Sequence, residues 1–288
     1  MPSFRARLLL ALVLVALVPS APGLRVGASQ ARPEAPPYRI LVTNDDGVQA
    51  PGLAAVAQIL QAIGNVIIVA PSDQQSSSGH GLVTRDPIYR QDLTLPNGMR
   101  AIGLTATPAS VVRVAVRMIV QPRPDLVVSG INRGYNLGYS GYVSGTLAAA
   151  RDAAMFGVPA VAASLADEAT PRDYVAAAEE VLGVARRVKQ YGIAPGTFLN
   201  VNIPPMPAGG YRGYRLTSQA LAAGGDEGFV EMKDPAGRTM YWNVFKAGGT
   251  AAEGTDLWAV GQGFVSVTPM RLGETDVAQA PTLRKVFE

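Results

Sequence analysis

Residues 39–47 read RILVTNDDG, an apolar run that stops at two acids and a glycine. Such a run, ended by polar residues, is typical of a buried β-strand that leads into a loop. Residues 51–63 follow with helical spacing, and VIIVAP (66–71) repeats the strand pattern. Continuous apolar strands that alternate with helices need cover on both faces. The sequence therefore predicts an α/β fold with a parallel sheet covered by helices on both faces, in three layers.

The same alternation continues to about residue 204. The later predicted elements are helices at 107–120, 146–156 and 174–188 and strands at 125–130, 158–164 and 198–204. After about residue 210, glycines, aromatics and short alternating stretches such as TMYWNVF (239–245) favour hairpins over βα units. An unpaired strand of this kind needs a partner. We therefore expect an oligomerisation arm at about 225–250 that contacts another subunit of a homodimer or tetramer. The alternative for the region after residue 210 is a small second lobe.

The N-terminus has the pattern of a secretory signal. Arg5 and Arg7 precede an apolar run from Leu8 to Val18, which is too short to span a bilayer. We predict a signal peptide at 1–28, a linker at 29–37 and one α/β domain at 38–288, in an exported protein of the periplasm or the extracellular space. The alternatives are a wrongly assigned start, a membrane anchor, and a cytoplasmic location.

Charge and cysteine content narrow the function classes. The predicted leader contains three arginines and no acid, so the remaining chain has as many basic as acidic residues. A neutral chain gives no reason to expect binding of a nucleic-acid polymer. The chain has no cysteine, which excludes thiolate metal sites and cysteine nucleophiles. We expect no stable membrane anchor once the leader is removed.

Three polar clusters follow predicted strands. They are NDDG (44–47), SSSGH (76–80) and GINRG (130–134). Ligands of doubly wound sheets bind at the carboxyl ends of the strands. The three clusters therefore predict one site at one edge of the sheet.

Adjacent Asp45 and Asp46 point to a cation, because two buried ionised carboxylates repel each other. The alternative for an isolated NDDG is an Asx-turn or a helix cap. The clusters offer carboxylate, hydroxyl and amide oxygens, which suit Mg²⁺ or Mn²⁺, with one ion per subunit.

A phosphate site is predicted where Ser144-Gly145-Thr146 precede the Ala-rich helix, because a helix N-terminus attracts anions. The alternative is an ordinary serine N-cap. Asn136 lies in a glycine-rich loop that lets the backbone approach a ligand. His80, the single histidine, is a candidate to position the phosphate or to protonate a leaving alkoxide.

The chain resembles the SurE (survival protein E) nucleotidase family from about residue 39 to 270. The resemblance is carried by five motifs in order: VTNDDGVQAPGL, VAPSDQQSSSGHG, VSGINRGYNLG followed by SGT, LNVNIP and GFVSVTP. It implies a Rossmann-like three-layer α/β fold with a C-terminal β-hairpin dimerisation arm. It also implies a divalent-metal-dependent phosphatase that hydrolyses nucleoside 5′- and 3′-monophosphates. By motif position, the implied metal ligands are Asp45, Asp46, Ser76 and Asn132. The implied phosphate-binding residues are Asn136, Ser144, Gly145 and Thr146.

Two segments depart from the family pattern. The chain has ATPASV (106–111) where the family often has GTPADC, and its spacer before SGT, YSGYV (139–143), lacks the usual acid. Neither removes an implied ligand, and we expect them to affect substrate preference. Metal-dependent deacetylases are excluded because one histidine cannot supply their zinc ligands. Phosphoaspartyl phosphatases fit poorly because their two acids are separated by one residue. The non-enzymatic alternative is an exported nucleotide- or phosphate-binding protein without catalysis.

Overall fold

The computed structural model describes residues 37–221, 226–246 and 251–287. The predicted signal peptide at 1–28 lies outside the described residues, as does the predicted linker apart from Pro37. Among the described residues, no helix has both the length and the apolar character needed to cross a bilayer.

A mixed sheet of nine strands lies at the centre of the described residues, and two further strands form a separate hairpin. In chain order the strands are β1 (Arg39–Thr43), β2 (Asn65–Pro71), β3 (Arg90–Thr94), β4 (Arg100–Leu104), β5 (Leu126–Arg133), β6 (Ala160–Leu165), β7 (Thr197–Ile203), β8 (Tyr214–Leu216), β9 (Asp226–Lys233), β10 (Thr239–Lys246) and β11 (Val265–Arg271). The order across the sheet is β3-β4-β2-β1-β5-β6-β7-β11-β8. Pairing is parallel from β4 to β7, whereas β3 and β11 pair antiparallel with β4 and β7.

Helices cover both faces of this sheet. The helices of the described residues are α1 (Pro51–Leu60), α2 (Pro108–Val114), α3 (Ser140–Val143), α4 (Gly145–Met155), α5 (Pro171–Tyr191), α6 (Asp256–Gly261) and the exposed α7 (Ala280–Phe287), with a π-helical turn at Ala115–Ile119 and a 3-10 turn at Val277–Gln279. Alternate residues of β1 enter two separate cores. Ile40 and Val42 pack with α1 and α5, and Leu41 packs with α2 and α4. The predicted three-layer α/β fold is confirmed.

The C-terminal antiparallel hairpin is also present, as β9 and β10 paired from Asp226↔Lys246 to Lys233↔Thr239. It occupies most of the predicted arm at 225–250, whose residues 225 and 247–250 lie outside the described ones. The side chains of Phe229, Val230, Tyr241 and Trp242 are about half exposed or more. The hairpin therefore carries exposed apolar side chains that the rest of the described chain does not cover.

Other differences from the predicted elements have local causes. The predicted helix at 107–120 is divided, because its last part winds into the π-helical turn. The hairpin strands β3 and β4 were not predicted, since β3 is mostly exposed and polar and has no apolar run. Strand β11 belongs to the main sheet rather than to a second lobe.

Candidate active site

The three polar clusters meet at one edge of the sheet, because β2, β1 and β5 are parallel neighbours. The backbone N–H of Gln75 donates to the carbonyl O of Asp45 at 2.7 Å. The backbone N–H of Arg133 donates to Asp46 Oδ2 at 3.0 Å. The loops after β1 and β2 and the end of β5 are therefore joined around the two aspartates.

Asp45 lies at the N-terminus of α4. Its side chain is buried, and the Thr146 hydroxyl donates to Asp45 Oδ1 at 2.6 Å. The positive end of the helix dipole favours a negative charge at this position. Burial nevertheless raises the pKa of Asp45 above its ordinary value, and the hydrogen bonds from Thr146 oppose that rise only in part. In this structure the Thr146 hydroxyl, which the sequence predicted to bind phosphate, therefore binds the carboxylate of Asp45.

Asp46 is half-buried beside Asp45. Loss of solvent is the main cause that raises its pKa to about 6, and the neighbouring Asp45 charge adds to the rise. The hydrogen bond from the Arg133 backbone acts in the opposite direction. In the described part of the chain, neither aspartate forms an ion pair with a lysine or arginine. Two adjacent carboxylates thus lie together without an ion-paired side chain, although the nearby Arg133 charge acts to lower the pKa of Asp46.

Gly145 allows the backbone at the start of α4 to lie close to Asp45 and Ser78. A Cβ atom at this position would lie 2.8 Å from Asp45 Cβ and 2.9 Å from both Asp45 Oδ2 and Ser78 Oγ. Any side chain at residue 145 would displace the carboxylate. The Ser78 hydroxyl is buried and has no hydrogen-bond partner among the residues that the structure describes. Ser78 belongs to the predicted SSSGH cluster, but the sequence did not distinguish it as a candidate ligand.

Asn136 lies at the centre of a buried hydrogen-bond network. Its side-chain nitrogen donates to Ser164 Oγ at 2.8 Å and approaches Thr146 Oγ1 at 3.4 Å. Its backbone is held by β7, because the Asn136 N–H donates to Asn202 Oδ1 at 2.8 Å and Asn200 Nδ2 donates to the Asn136 carbonyl O at 2.8 Å. The motif LNVNIP therefore supports the loop that carries Asn136, and this network continues through Thr146 to Asp45.

The two other predicted metal ligands differ in exposure. Asn132 is buried, and its Nδ2 donates to the carbonyl O of Gly134 at 2.6 Å, which leaves its Oδ1 as the atom that could contact a ligand. Ser76 is exposed on the loop after β2, and its hydroxyl accepts from Gln74 Nε2 at 3.0 Å.

His80 contacts a charged pair that the sequence did not reveal. Its Nε2 lies 3.1 Å from Oδ1 of Asp152, a fully buried residue of α4. Arg113 of α2 binds the same carboxylate through Nε and Nη2, at distances of 2.9 to 3.1 Å. The sequence did contain one indication of this contact, an aspartate within the apolar face of an Ala-rich helix. A buried carboxylate requires hydrogen-bond or charged partners.

Ser144 caps α4, because its side chain accepts from the backbone N–H of Leu147 at 3.1 Å. The structure thus brings Asp45 close to Gly145 and Thr146 at the start of α4, whereas the neighbouring Asp46 contacts the Arg133 backbone. Among the described residues, no cluster of three or more His, Asp or Glu side chains forms a metal site. The candidate donor set is therefore mixed, with two carboxylates, a hydroxyl and an amide.

A model of the family described as "Survival protein SurE" matches residues 40–225. The chain belongs to the SurE family. Among its SurE relatives, "5'-nucleotidase SurE" of Syntrophotalea carbinolica is 43% identical over 239 residues, which cover 82% of this chain and 92% of the relative. "5'-nucleotidase SurE 1" of Thermus thermophilus is 41% identical, with 82% and 93% covered.

The likeness extends to a solved SurE structure. The SurE protein from Aquifex aeolicus superposes with a TM-score of 0.75 at 32% identity, and the match covers 87% of this chain and 100% of that one. The resemblance inferred from the motifs is thus confirmed at the level of family and fold. The nucleotidase name belongs to the relatives, and the roles of individual SurE residues stay predictions for this chain.

Proposed function

We propose that this chain is an enzyme that hydrolyses nucleoside 5′-monophosphates, and also 3′-monophosphates, to nucleoside and phosphate with a divalent metal ion. The observation that carries the proposal is the adjacent, largely buried pair Asp45 and Asp46, which forms no ion pair with a lysine or arginine of the described residues and lies at the N-terminus of α4. Relatives about 40% identical over most of the chain carry the name 5'-nucleotidase.

The residues present fit a hard divalent ion. Asp45 and Asp46 supply carboxylate oxygens, Asn132 has a free Oδ1, and Ser76 supplies a hydroxyl at the edge of the same cluster. Oxygen donors of this kind suit Mg²⁺ or Mn²⁺. When bound, such an ion supplies positive charge that neutralises the two carboxylates and the substrate phosphate.

The chain's own groups then orient the phosphate. The start of α4, at Ser144–Thr146, offers the positive end of a helix dipole to an anion, beside the Thr146 hydroxyl that donates to Asp45. Donors fixed in advance stabilise the charge that spreads over the phosphoryl oxygens in a loose transition state. The Asn136 side chain is held by Ser164 and Thr146. Asn136 therefore contributes to phosphate binding by keeping its loop rigid close to the substrate.

Proton transfer falls to the side chains around this cradle. His80 is proposed to protonate the leaving alkoxide, and Asp45 or Asp46 to accept a proton from the attacking water. Asp152 and Arg113 anchor the imidazole of His80 from the side of α4 and α2.

The experiment is a panel of phosphomonoesters assayed with Mg²⁺, with Mn²⁺ and with EDTA. The panel contains 5′- and 3′-nucleotides with each base. Release of phosphate from nucleotides in the presence of metal supports the proposal. Tight binding of nucleotides without turnover under every metal condition would favour the alternative, an exported binding protein, in which Asp45→Asn leaves ligand binding intact.

The hairpin β9–β10 supports a homo-oligomer. Its exposed Phe229 and Tyr241 lie on one face and its exposed Trp242 on the other, and a second copy of the chain could cover either face. We propose a homodimer or tetramer held by this arm. Light scattering at micromolar concentration should give a multiple of the chain mass, and a strictly monomeric species would refute the arm's role.

We also propose that the protein is exported. The basic residues and apolar run of 1–18 support this location. N-terminal sequencing of the native protein should start near Ser29. A native protein that retains residues 1–20 would refute the proposal and favour the cytoplasmic alternative.

A further inference from the structure

Two exposed tyrosines lie directly before the proposed phosphate site. Tyr139 and Tyr142 are 57% and 53% exposed, and their ring centroids are 6.3 Å apart with an angle of 35° between the planes. They are three residues apart at the single turn of α3, so both project from one side of that turn. They belong to YSGYV (139–143), the spacer in which this chain departs from the family pattern.

The backbone beneath the two rings is fixed. The N–H of Gly138 donates to the buried carboxylate of Asp256 at 2.9 Å, and Gln219 Nε2 donates to the Gly138 carbonyl O at 3.1 Å. Gly141 is packed closely, since a Cβ there would lie 3.1 Å from Leu147 Cδ2 and 3.2 Å from Gln219 Nε2. The rings are therefore held on a rigid support and remain exposed because nothing in the described chain covers them.

The tyrosine pair adjoins the site through both sequence and contact. Val143, next to Tyr142, precedes the Ser144 cap of α4, and its carbonyl O accepts from the Gly79 N–H at 3.0 Å. Gly79 lies between Ser78, which faces Asp45 across Gly145, and His80. The two tyrosine rings are carried by the residues just before the start of α4. They are therefore the aromatic surface next to a group attached to a phosphate bound there.

We propose that Tyr139 and Tyr142 form the platform on which the nucleobase of the substrate stacks. This inference rests on the proposed nucleotidase function and names residues that set its specificity for nucleotides. Exposed aromatic rings stack on bases because both present π faces. Since every base has such a face, the platform favours nucleotides over phosphates without a base, and it discriminates weakly between bases.

The test compares AMP with ribose 5-phosphate, which carries the same sugar phosphate without a base. Tyr139→Ala and Tyr142→Ala should each lower kcat/KM for AMP about 10-fold, mainly by raising KM, which corresponds to the loss of one base–aromatic stack. Their kcat/KM for ribose 5-phosphate should stay unchanged. Tyr142→Phe should keep the wild-type preference, because the ring remains.

Tyr191→Ala is the matched control, because Tyr191 is 76% exposed at the end of α5, on the opposite edge of the sheet. It should change neither substrate. An equal loss on AMP and ribose 5-phosphate, an unchanged rate on AMP, or a shift in oligomeric mass that accounts for the loss would each overturn the platform.

Failure of the proposed function gives a different result. If the wild-type chain hydrolyses no nucleotide with any metal, the nucleotidase proposal fails, and the platform is then tested by calorimetric binding of AMP and ribose 5-phosphate to the wild type and the Tyr142→Ala variant. Weaker binding of AMP alone to the variant supports the platform. Equal binding of AMP to both proteins overturns it.

Discussion

The Nε2 atom of His80 lies 3.1 Å from the carboxylate of Asp152, although 72 residues separate them in the chain. Asp152 is fully buried on α4, and Arg113 neutralises it through a two-nitrogen contact. Because Nε2 faces Asp152, Nδ1 is the ring nitrogen left for a ligand. The pair thus fixes both the orientation of the imidazole and the atom it can present.

This geometry predicts a dependence on the leaving group. His80→Ala should lower kcat more for a nucleotide than for an aryl phosphate, because an aryl oxide leaves without a proton donor. Asp152→Asn should show the same ranking with a smaller loss, since the imidazole remains. The measurement is kcat on AMP and on p-nitrophenyl phosphate, with thermal melting as the check on folding. Equal losses on both substrates would mean that His80 positions the phosphate instead.

Removal of the metal should abolish hydrolysis. EDTA should eliminate turnover and Mn²⁺ or Mg²⁺ should restore it, because burial and mutual repulsion disfavour two ionised carboxylates at Asp45 and Asp46 unless a metal ion binds them. Asp45→Asn and Asn132→Ala should each weaken Mn²⁺ binding in titration calorimetry, a readout that does not require activity. Full activity in a metal-free preparation would contradict the proposal.

Gly145→Ala should inactivate the protein without unfolding it. The added methyl group would overlap Asp45 and Ser78 at the start of α4, so we expect a fall in kcat/KM of at least about 10²-fold, as for other losses of fixed electrostatic geometry. The control is Gly261→Ala in α6, where a Cβ would meet no atom within 4 Å. It should leave activity unchanged. Wild-type activity in Gly145→Ala would refute the close approach.

Asn202→Ala tests the support of the Asn136 loop. It leaves the buried N–H of Asn136 without its acceptor, which costs about 1–3 kcal/mol. The melting temperature should fall by at least about 2–4 °C, and activity should fall with it as the loop shifts. Asn65→Ala, at an exposed position that begins β2, is the control and should change neither quantity. An unchanged melting temperature in Asn202→Ala would show that the loop is held by other contacts.

The parts of the fold that the sequence predicted are those in which local pattern and tertiary role coincide. Strands β1, β2, β5, β6 and β7 are largely buried and each contains an apolar run, which made them visible in the sequence. Strand β3 is mostly exposed and polar, so it has no apolar pattern from which a strand could be predicted. The meeting of the three polar clusters followed from parallel pairing alone.

The remaining parts of the site depend on how helices and strands dock. The contact of Asp152 with His80 forms only when α4 packs beside the loop after β2, and no local pattern encodes that arrangement. The support of Asn136 by Asn200 and Asn202 likewise joins residues more than sixty positions apart. Two asparagines that alternate in an apolar strand were the available signal, because a buried amide requires a partner.

The arm leaves the α/β body and returns to it at almost the same point. Ser218 accepts from the backbone N–H of Asp256 at 2.8 Å and donates its own N–H to Gly254 at 3.1 Å, on either side of the segment that contains β9 and β10. The carboxylate of Asp256 accepts hydrogen bonds from the backbone N–H groups of both Ala220 and Gly138. The arm is therefore built as an insertion between two points that are already joined. Selection could lengthen, exchange or delete such a module, and so change how the subunits assemble, without redesigning the catalytic edge of the sheet.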